Sequence, residues 1–478
     1  MLFVGQAGIQ IGHHLLAYQA QQLGNNHRGA FVAVDAEPKV VASIGREFLP
    51  PPETVSVGPP VAQLISDVPG SGKNWAAGYA NRHLVEKAIE ATRKLLEQTP
   101  CCHELLMVHS LGGGTGSGAG SAILEGVREM APETGIVNAA VFPFSADGLT
   151  TVYNATLSLS WLRQFSDAVI LWQNDQLMSD CAADGPTPPR ATATLISTGT
   201  SGATPRKPGP AVSPSPGVAR RPPLAAAASP GVLQRMNTMV SCALGRVIFP
   251  LGQSRAADGL WDLITDVVPD PSMKYLEMVS RPVCPDPSWE QATRRFLASL
   301  PRFSVDQTPG GPPPPGQARW GEDGRPVWIE PGDGDLGYAP PVVTSRSCAE
   351  TMIGEGPMLT LAANISCPFR VELQGPQCHL PHTRRQHLPT TRICPIVCAS
   401  AGPTMTLAAN TSTTSALATR LGRRAVRLFQ SRAYFHWYER YGLEADTFAD
   451  CLEELRAIAE IAPVVAAPTP SSGSTPVT

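Results

Sequence analysis

Residues 111–120 read LGGGTGSGAG, six glycines in ten positions, with the apolar run ELLMVHS before them and SAILEGVREMA after. A buried strand that ends in glycines and then enters a helix lets the main chain approach a ligand closely. Its amide N–H groups are unshielded there and aligned with the positive end of the helix dipole. The chemistry this offers is the binding of a polyanion, above all a phosphate chain. Gly5-Gln6, directly after the apolar start LFV, presents the same arrangement. Two other phosphate motifs are excluded by their own residues. GSGKN at 70–74 lacks the first glycine and the Ser/Thr after lysine of a Walker A loop, and no G-x-G-x-x-G after the first strand is followed by a ribose-binding acid. Cys378, His379, His382, His387, Cys394 and Cys398 are of types that ligate zinc. Only His382 with His387 approaches a standard zinc spacing, so the segment is read as an irregular loop and no metal site is assigned.

The elements that would position these residues follow from periodicity. FVG, AFVAVDAE, ELLMVHS, IVNAAVFPF and DAVILWQ are short, apolar and partly β-branched, whereas 6–23, 80–98, 118–131 and 153–165 carry helical spacing. Strands alternating with helices predict an α/β fold with a doubly wound parallel sheet, whose ligands lie beyond the carboxyl ends of the strands. Residues 183–230 are dominated by Pro, Ala, Ser, Thr and Gly without apolar period, which predicts a disordered insertion. A helix is expected to resume near 231, a second low-complexity stretch occupies 305–342, and 463–478 reads as a frayed tail.

Composition narrows the function classes. Of 478 residues only 16% are charged and the net charge is −3, so the basic field that drives nucleic-acid binding is missing. No apolar stretch reaches the length of a membrane span and the start resembles no secretory leader, so a soluble intracellular protein with no membrane partner is expected. Eleven scattered cysteines fit reduced thiols.

Taken together, GGGTGSG at 112–118, GQAGIQIG at 5–12, VDAEPKVV at 34–41, KNWAAGY at 73–79, VYNATLSL at 152–159 and QNDQL at 173–177 resemble the tubulin and bacterial FtsZ superfamily, in the family's order. VDAEPKV and residues 425–458, AVRLFQSRAYFHWYERYGLEADTFADCLEELRAI, are most similar to its delta-tubulin branch, and the end lacks the glutamate-rich run of alpha and beta chains. The resemblance covers about 1–181, 231–300 and 404–462. It implies a tubulin/FtsZ-like α/β architecture: an N-terminal GTP-binding domain at 1–182, a core helix region at 231–252, a second, smaller α/β domain at 253–411 and C-terminal helices at 412–462.

The resemblance also implies GTP with Mg2+ as cofactors and assigns roles. Gly5, Gln6 and Gln10 would contact phosphates and the metal or base region, with Asn74 near the gamma-phosphate. Gly112, Gly113, Gly114, Thr115 and Gly116 would supply donors to the beta- and gamma-phosphates, and Asn174 and Asn237 would bond the guanine edge. The catalytic acid, Asp262, would act in trans on the nucleotide of a neighbouring subunit. Two departures weaken nucleotide contacts: the family's ribose-binding glutamate is Thr151, and its base-stacking aromatic is Leu233. No acids in the second loop, 45–65, clearly match the family's magnesium-facing pair; Glu47 and Glu53 are the candidates. The implied partners are other tubulins (epsilon-tubulin first, then alpha/beta-tubulin) and the microtubule, at the centrioles and basal bodies of the cytoplasmic cytoskeleton. The competing reading is a tubulin-fold scaffold that no longer needs nucleotide.

Overall fold

The structure, a computed structural model, describes residues 1–23, 30–42, 62–67, 70–99, 104–183, 230–248, 260–268, 270–282, 319–320, 326–327, 369–374, 391–394, 404–409 and 413–460. The expected insertions at 183–230 and 305–342, the second loop at 45–65 and most of the Cys/His segment lie largely outside these residues.

Strand β1 (Leu2–Val4) is followed by helix α1 (Gly5–Leu23), then β2 (Phe31–Asp35) and β3 (Ala62–Ser66). Helices α2 (Trp75–Tyr79) and α3 (Arg82–Glu97) lead to β4 (Glu104–Ser110), a π-helical turn (Thr115–Ala119) and α4 (Gly120–Met130). β5 (Gly135–Phe142), α5 (Leu149–Phe165), β6 (Ala168–Gln173) and α6 (Asn174–Ala183) complete this half. Beyond it come α7 (Pro230–Ile248), α8 (Leu260–Val267), β7 (Tyr275–Pro282), the short pair β8 (Arg319–Trp320) and β9 (Pro326–Val327), then β10 (Phe369–Gln374), β11 (Thr391–Cys394) and β12 (Thr404–Ala409). The last described helices are α9 (Thr413–Gln430), α10 (His436–Glu439) and α11 (Ala445–Ala459). The strands and helices expected in residues 1–181 thus appear, and β3 is an added strand there that its sequence did not announce.

Seven strands run parallel in the order β3-β2-β1-β4-β5-β6-β7. β12 then pairs antiparallel with β7, β10 antiparallel with β12, and β11 parallel with β10. The parallel strands are apolar at nearly every position because both faces are covered. Their two-residue period splits them between two cores. Val4, Val34 and Met107 join Leu84, Ile123, Tyr153, Leu417 and Phe448 on one face, while Phe3, Ala33 and Val108 join Ile9, Leu15, Met236, Val240 and Leu263 on the other. This is the expected α/β fold with a doubly wound parallel sheet.

β1 is flanked by β2 on one side and β4 on the other, so the strand order reverses there. Gly5 and the Gly112–Gly116 segment both leave the sheet at this reversal, on the carboxyl side, where an open α/β sheet leaves a crevice.

The C-terminal segment departs from its sequence pattern. Val426, Phe429, Ala433 and Trp437 repeat with helical spacing, which predicts one core stripe. Instead α9 ends at Gln430, and Arg432 and Tyr434 adopt positive φ of 52° and 58°. The phase is lost across that turn: Phe435 and Tyr438 are buried, whereas Trp437 is 49% exposed.

Candidate functional site

The crevice is floored by main chain. Gly5 has φ +75°, and a Cβ built on it would come within 2.8 Å of the Gly116 nitrogen, so the two turns touch backbone to backbone. Gly114 is equally confined: a Cβ there would meet Ser71 Cβ at 2.6 Å and the Asn74 nitrogen at 2.9 Å. Gly113 differs, since a Cβ on it would meet nothing within 4 Å. Only part of the glycine run therefore faces open space; the remainder lets three loops pack against one another. The Ser117 hydroxyl donates back to the Gly113 carbonyl, and Ser71 Oγ lies 3.3 Å from Thr115 Oγ1. The π-helical turn that follows is an unusual geometry often found at functional sites.

Behind the turn, His109 is fully buried and its Nδ1 lies 2.8 Å from the Gly116 carbonyl. A carbonyl can only accept, so Nδ1 carries a proton. Burial pushes its pKa down to about 4, against the hydrogen bond to Gly116, so the ring is neutral near pH 7.

Asn154 holds the loops in register. Its Nδ2 donates to the Lys73 carbonyl at 3.0 Å and to the Gly112 carbonyl at 2.9 Å, and its Oδ1 accepts from the Trp75 amide at 3.0 Å. The Tyr438 hydroxyl, 2.7 Å from the same Oδ1, extends the network to the C-terminal helices.

The sequence-derived residues are distributed around this floor. Gln6 and Gln10 are exposed on the first turns of α1, and Asn237 Nδ2 donates to Gln10 Oε1 at 3.1 Å, joining α7 to α1. Asn174 begins α6 at the end of β6. Thr151 lies beside the glycine turn but donates its hydroxyl to the Gly148 carbonyl at 2.6 Å, and Leu233 is 39% exposed on the first turns of α7. Asn74 is largely engaged internally. Its Oδ1 caps α2 by accepting from Ala76 and Ala77, and its Nδ2 donates to the Trp437 carbonyl at 2.9 Å. Asp262 is far from all of these. It sits on α8, whose first amides, Leu260 and Trp261, are held by the Glu104 carboxylate at 2.8 and 2.9 Å. Glu104 opens β4, so Asp262 belongs to the opposite, amino edge of the sheet.

Sequence reasoning looked for acids in the second loop and passed over Asp35 and Glu37. Asp35 ends β2, and the pairing of Val4 with Val34 sets it beside Gly5. Its buried carboxyl has a pKa pushed up to about 6, desolvation outweighing the hydrogen bond from the Glu37 amide. A cation nearby would offset that desolvation. Among the described residues no cluster of three or more His, Cys, Asp or Glu could hold a metal unaided. Two carboxylates fit Mg2+ completed by phosphate oxygens. The sequence signal was available: acids at the carboxyl end of the strand after the first glycine turn.

Comparison with known proteins agrees with this geometry. A family profile described as "Tubulin/FtsZ family, GTPase domain" matches residues 1–182. The chain is 38% identical to the tubulin epsilon chain of Mus musculus over 118 residues, covering 24% of this chain and 25% of that one. It is 32% identical to the nucleomorph tubulin beta chain of Guillardia theta over 173 residues, covering 34% and 37%. With the tubulin beta chain of Pyropia yezoensis it shares 29% over 202 residues, covering 37% and 44%. The matches thus span a quarter to less than half of the length of these relatives. Among the described residues no helix is long and apolar enough to cross a membrane. Parallel sheet, glycine turn at the strand reversal and sequence match coincide in one segment, residues 1–182, which is similar to the GTPase domain of the Tubulin/FtsZ family.

Proposed function

We propose that this domain, with the first turns of α7, binds GTP and Mg2+, and that the chain is a tubulin-type cytoskeletal protein. The observation that carries the reading is the open space at Gly113, on the carboxyl edge of the sheet where the strand order reverses. The glycine-turn amides receive the phosphates, and Asp35 and Glu37 share the cation with them. Gln10, Asn237 and Asn174 line the way toward the base, where side-chain amides satisfy donors and acceptors alike.

Within the family we favour a delta-tubulin-like role in triplet microtubule assembly at centrioles and basal bodies, with epsilon-tubulin and alpha/beta-tubulin as partners. Its support is the likeness of residues 34–40 and 425–458. Hydrolysis is assigned to Asp262 acting on a neighbour's nucleotide by orienting water. The second reading, a scaffold independent of nucleotide, is favoured by Thr151 and Leu233 and by the internal engagement of Asn74.

The deciding experiment releases nucleotide from the purified full chain and identifies it by chromatography. Guanine nucleotide recovered at a substantial fraction of the protein supports the first reading, and protein that is empty and stays empty when GTP-Mg2+ is supplied supports the scaffold.

A further inference from the structure

We propose that Lys73 is a phosphate-binding residue of this crevice, its ammonium supplying the positive charge that the neutral amides of the glycine turn lack. The proposal rests on the nucleotide-binding reading above and adds a residue and a charge to it.

The main chain of Lys73 is fixed at the glycine turn. One amide nitrogen, Asn154 Nδ2, bonds both the Lys73 and the Gly112 carbonyls, at 3.0 and 2.9 Å. The same loop closes over Gly114 through Ser71 and Asn74. Lys73 itself has φ 56°, directly after Gly72 at φ 55°. Two successive left-handed residues are unusual, and a lysine in that region is disfavoured by its Cβ. Backbone strain of this kind persists only where the surroundings impose it, and it clusters at functional sites. Here Asn154 imposes it from a fully buried position.

The side chain is free to act. Lys73 is exposed, whereas Asn74 beside it is buried and engaged in capping α2 and bonding Trp437. Segments 5–10, 70–74, 111–116 and 143–148, which surround the crevice, hold no cationic residue other than Lys73, while the nearby Lys39 is paired with Glu37 at 3.0 Å and Arg424 donates to the Ser145 carbonyl at 2.9 Å. The carboxyl pKa of Asp147, in the loop after β5, is raised by burial, and the Phe144 amide and then Lys73 pull it back down. The loop that carries Lys73 and the β5–α5 loop both border the glycine turn, the first through Asn154 and the second through the approach of Pro143 to Gly112. A polyphosphate entering at Gly113 would meet this cation and compete with Asp147 for it. A flexible lysine suits a phosphate whose position shifts between di- and triphosphate, because it acts as a point charge with rotatable donors.

The test titrates full-length wild type, Lys73→Asn, Lys73→Arg and Gly113→Ala with fluorescent GTP and GDP across a salt series, with Mg2+ present. Asparagine tolerates the left-handed backbone, so Lys73→Asn removes the charge without adding strain. It should bind GTP about tenfold more weakly and with a flatter salt dependence, while melting no lower than wild type; Lys73→Arg should keep most of the affinity. If Lys73→Asn binds GTP like wild type with the same salt slope while Gly113→Ala binds weakly, Lys73 has no such role and the nucleotide site stands. If wild type binds neither nucleotide, the nucleotide reading falls and this one falls with it.

Discussion

One added carbon distinguishes Gly113 from Gly114. A Cβ at Gly114 would lie 2.6 Å from Ser71 Cβ, whereas at Gly113 it would enter empty space. Gly114→Ala should therefore cost about 2 kcal/mol or more by overpacking, and Gly113→Ala should fold within about 0.5 kcal/mol of wild type. Denaturant titration beside nucleotide binding separates the two, because Gly113→Ala should lose affinity while keeping stability. His109 supplies a second test. Its folded pKa, about 4, lies below the ordinary histidine value of 6.5, so between these the unfolded chain binds the proton and the folded one does not. Its contribution is complete above pH 6.5 and declines as pH falls through that window. The stability gap between wild type and His109→Gln should therefore narrow by about 2 kcal/mol from pH 7 to pH 5. Asp35, whose pKa is raised, acts with the opposite sign over a similar range, so the whole-protein pH profile mixes the two and only the variant difference isolates His109.

Elements are joined to the crevice by few bonds. The C-terminal α10 reaches it through two: Trp437 accepts from Asn74, and the Tyr438 hydroxyl lies 2.7 Å from Asn154 Oδ1 and 2.9 Å from the Thr150 carbonyl. Tyr438→Phe leaves the packing against Tyr153 in place and removes only the hydroxyl, so it should cost about 1–2 kcal/mol. Because Asn154 also orients Lys73 and Gly112, the same variant should raise amide hydrogen exchange in 71–75 and 111–115. Unchanged exchange there would mean that the C-terminal helices sit on the site without bracing it. No local pattern signals this tie. Helical spacing pointed Trp437 inward, and only the turn at Arg432 and Tyr434 turns it out and brings Tyr438 in.

Across the whole molecule, the glycine turn and Asp262 occupy opposite ends of one strand. β4 is seven residues long, which separates its two ends by about 20 Å. Asp262 is thus beyond reach of the crevice in its own chain, and its proposed catalytic role requires a second subunit stacked end to end. GTP turnover per chain should then rise with protein concentration as chains associate. Asp262→Asn should abolish that rise and leave nucleotide affinity as it was. Turnover independent of concentration would place the chemistry within one chain and remove Asp262 from it.

Strand and helix succession, the glycine turn and its family were legible in the sequence because they rest on local signals: two-residue and helical apolar periods, and glycine where backbones touch. These carry no information about which loops meet. That Asn74 is spent on a helix cap, that Lys73 stands exposed at the turn, that Asp35 adjoins Gly5 and that Asp262 lies at the far edge were all decided by tertiary structure. Each depends on strand register and on contacts between residues distant in the chain. Side chains of the same type remain equivalent until folding gives some of them partners and leaves others facing the crevice.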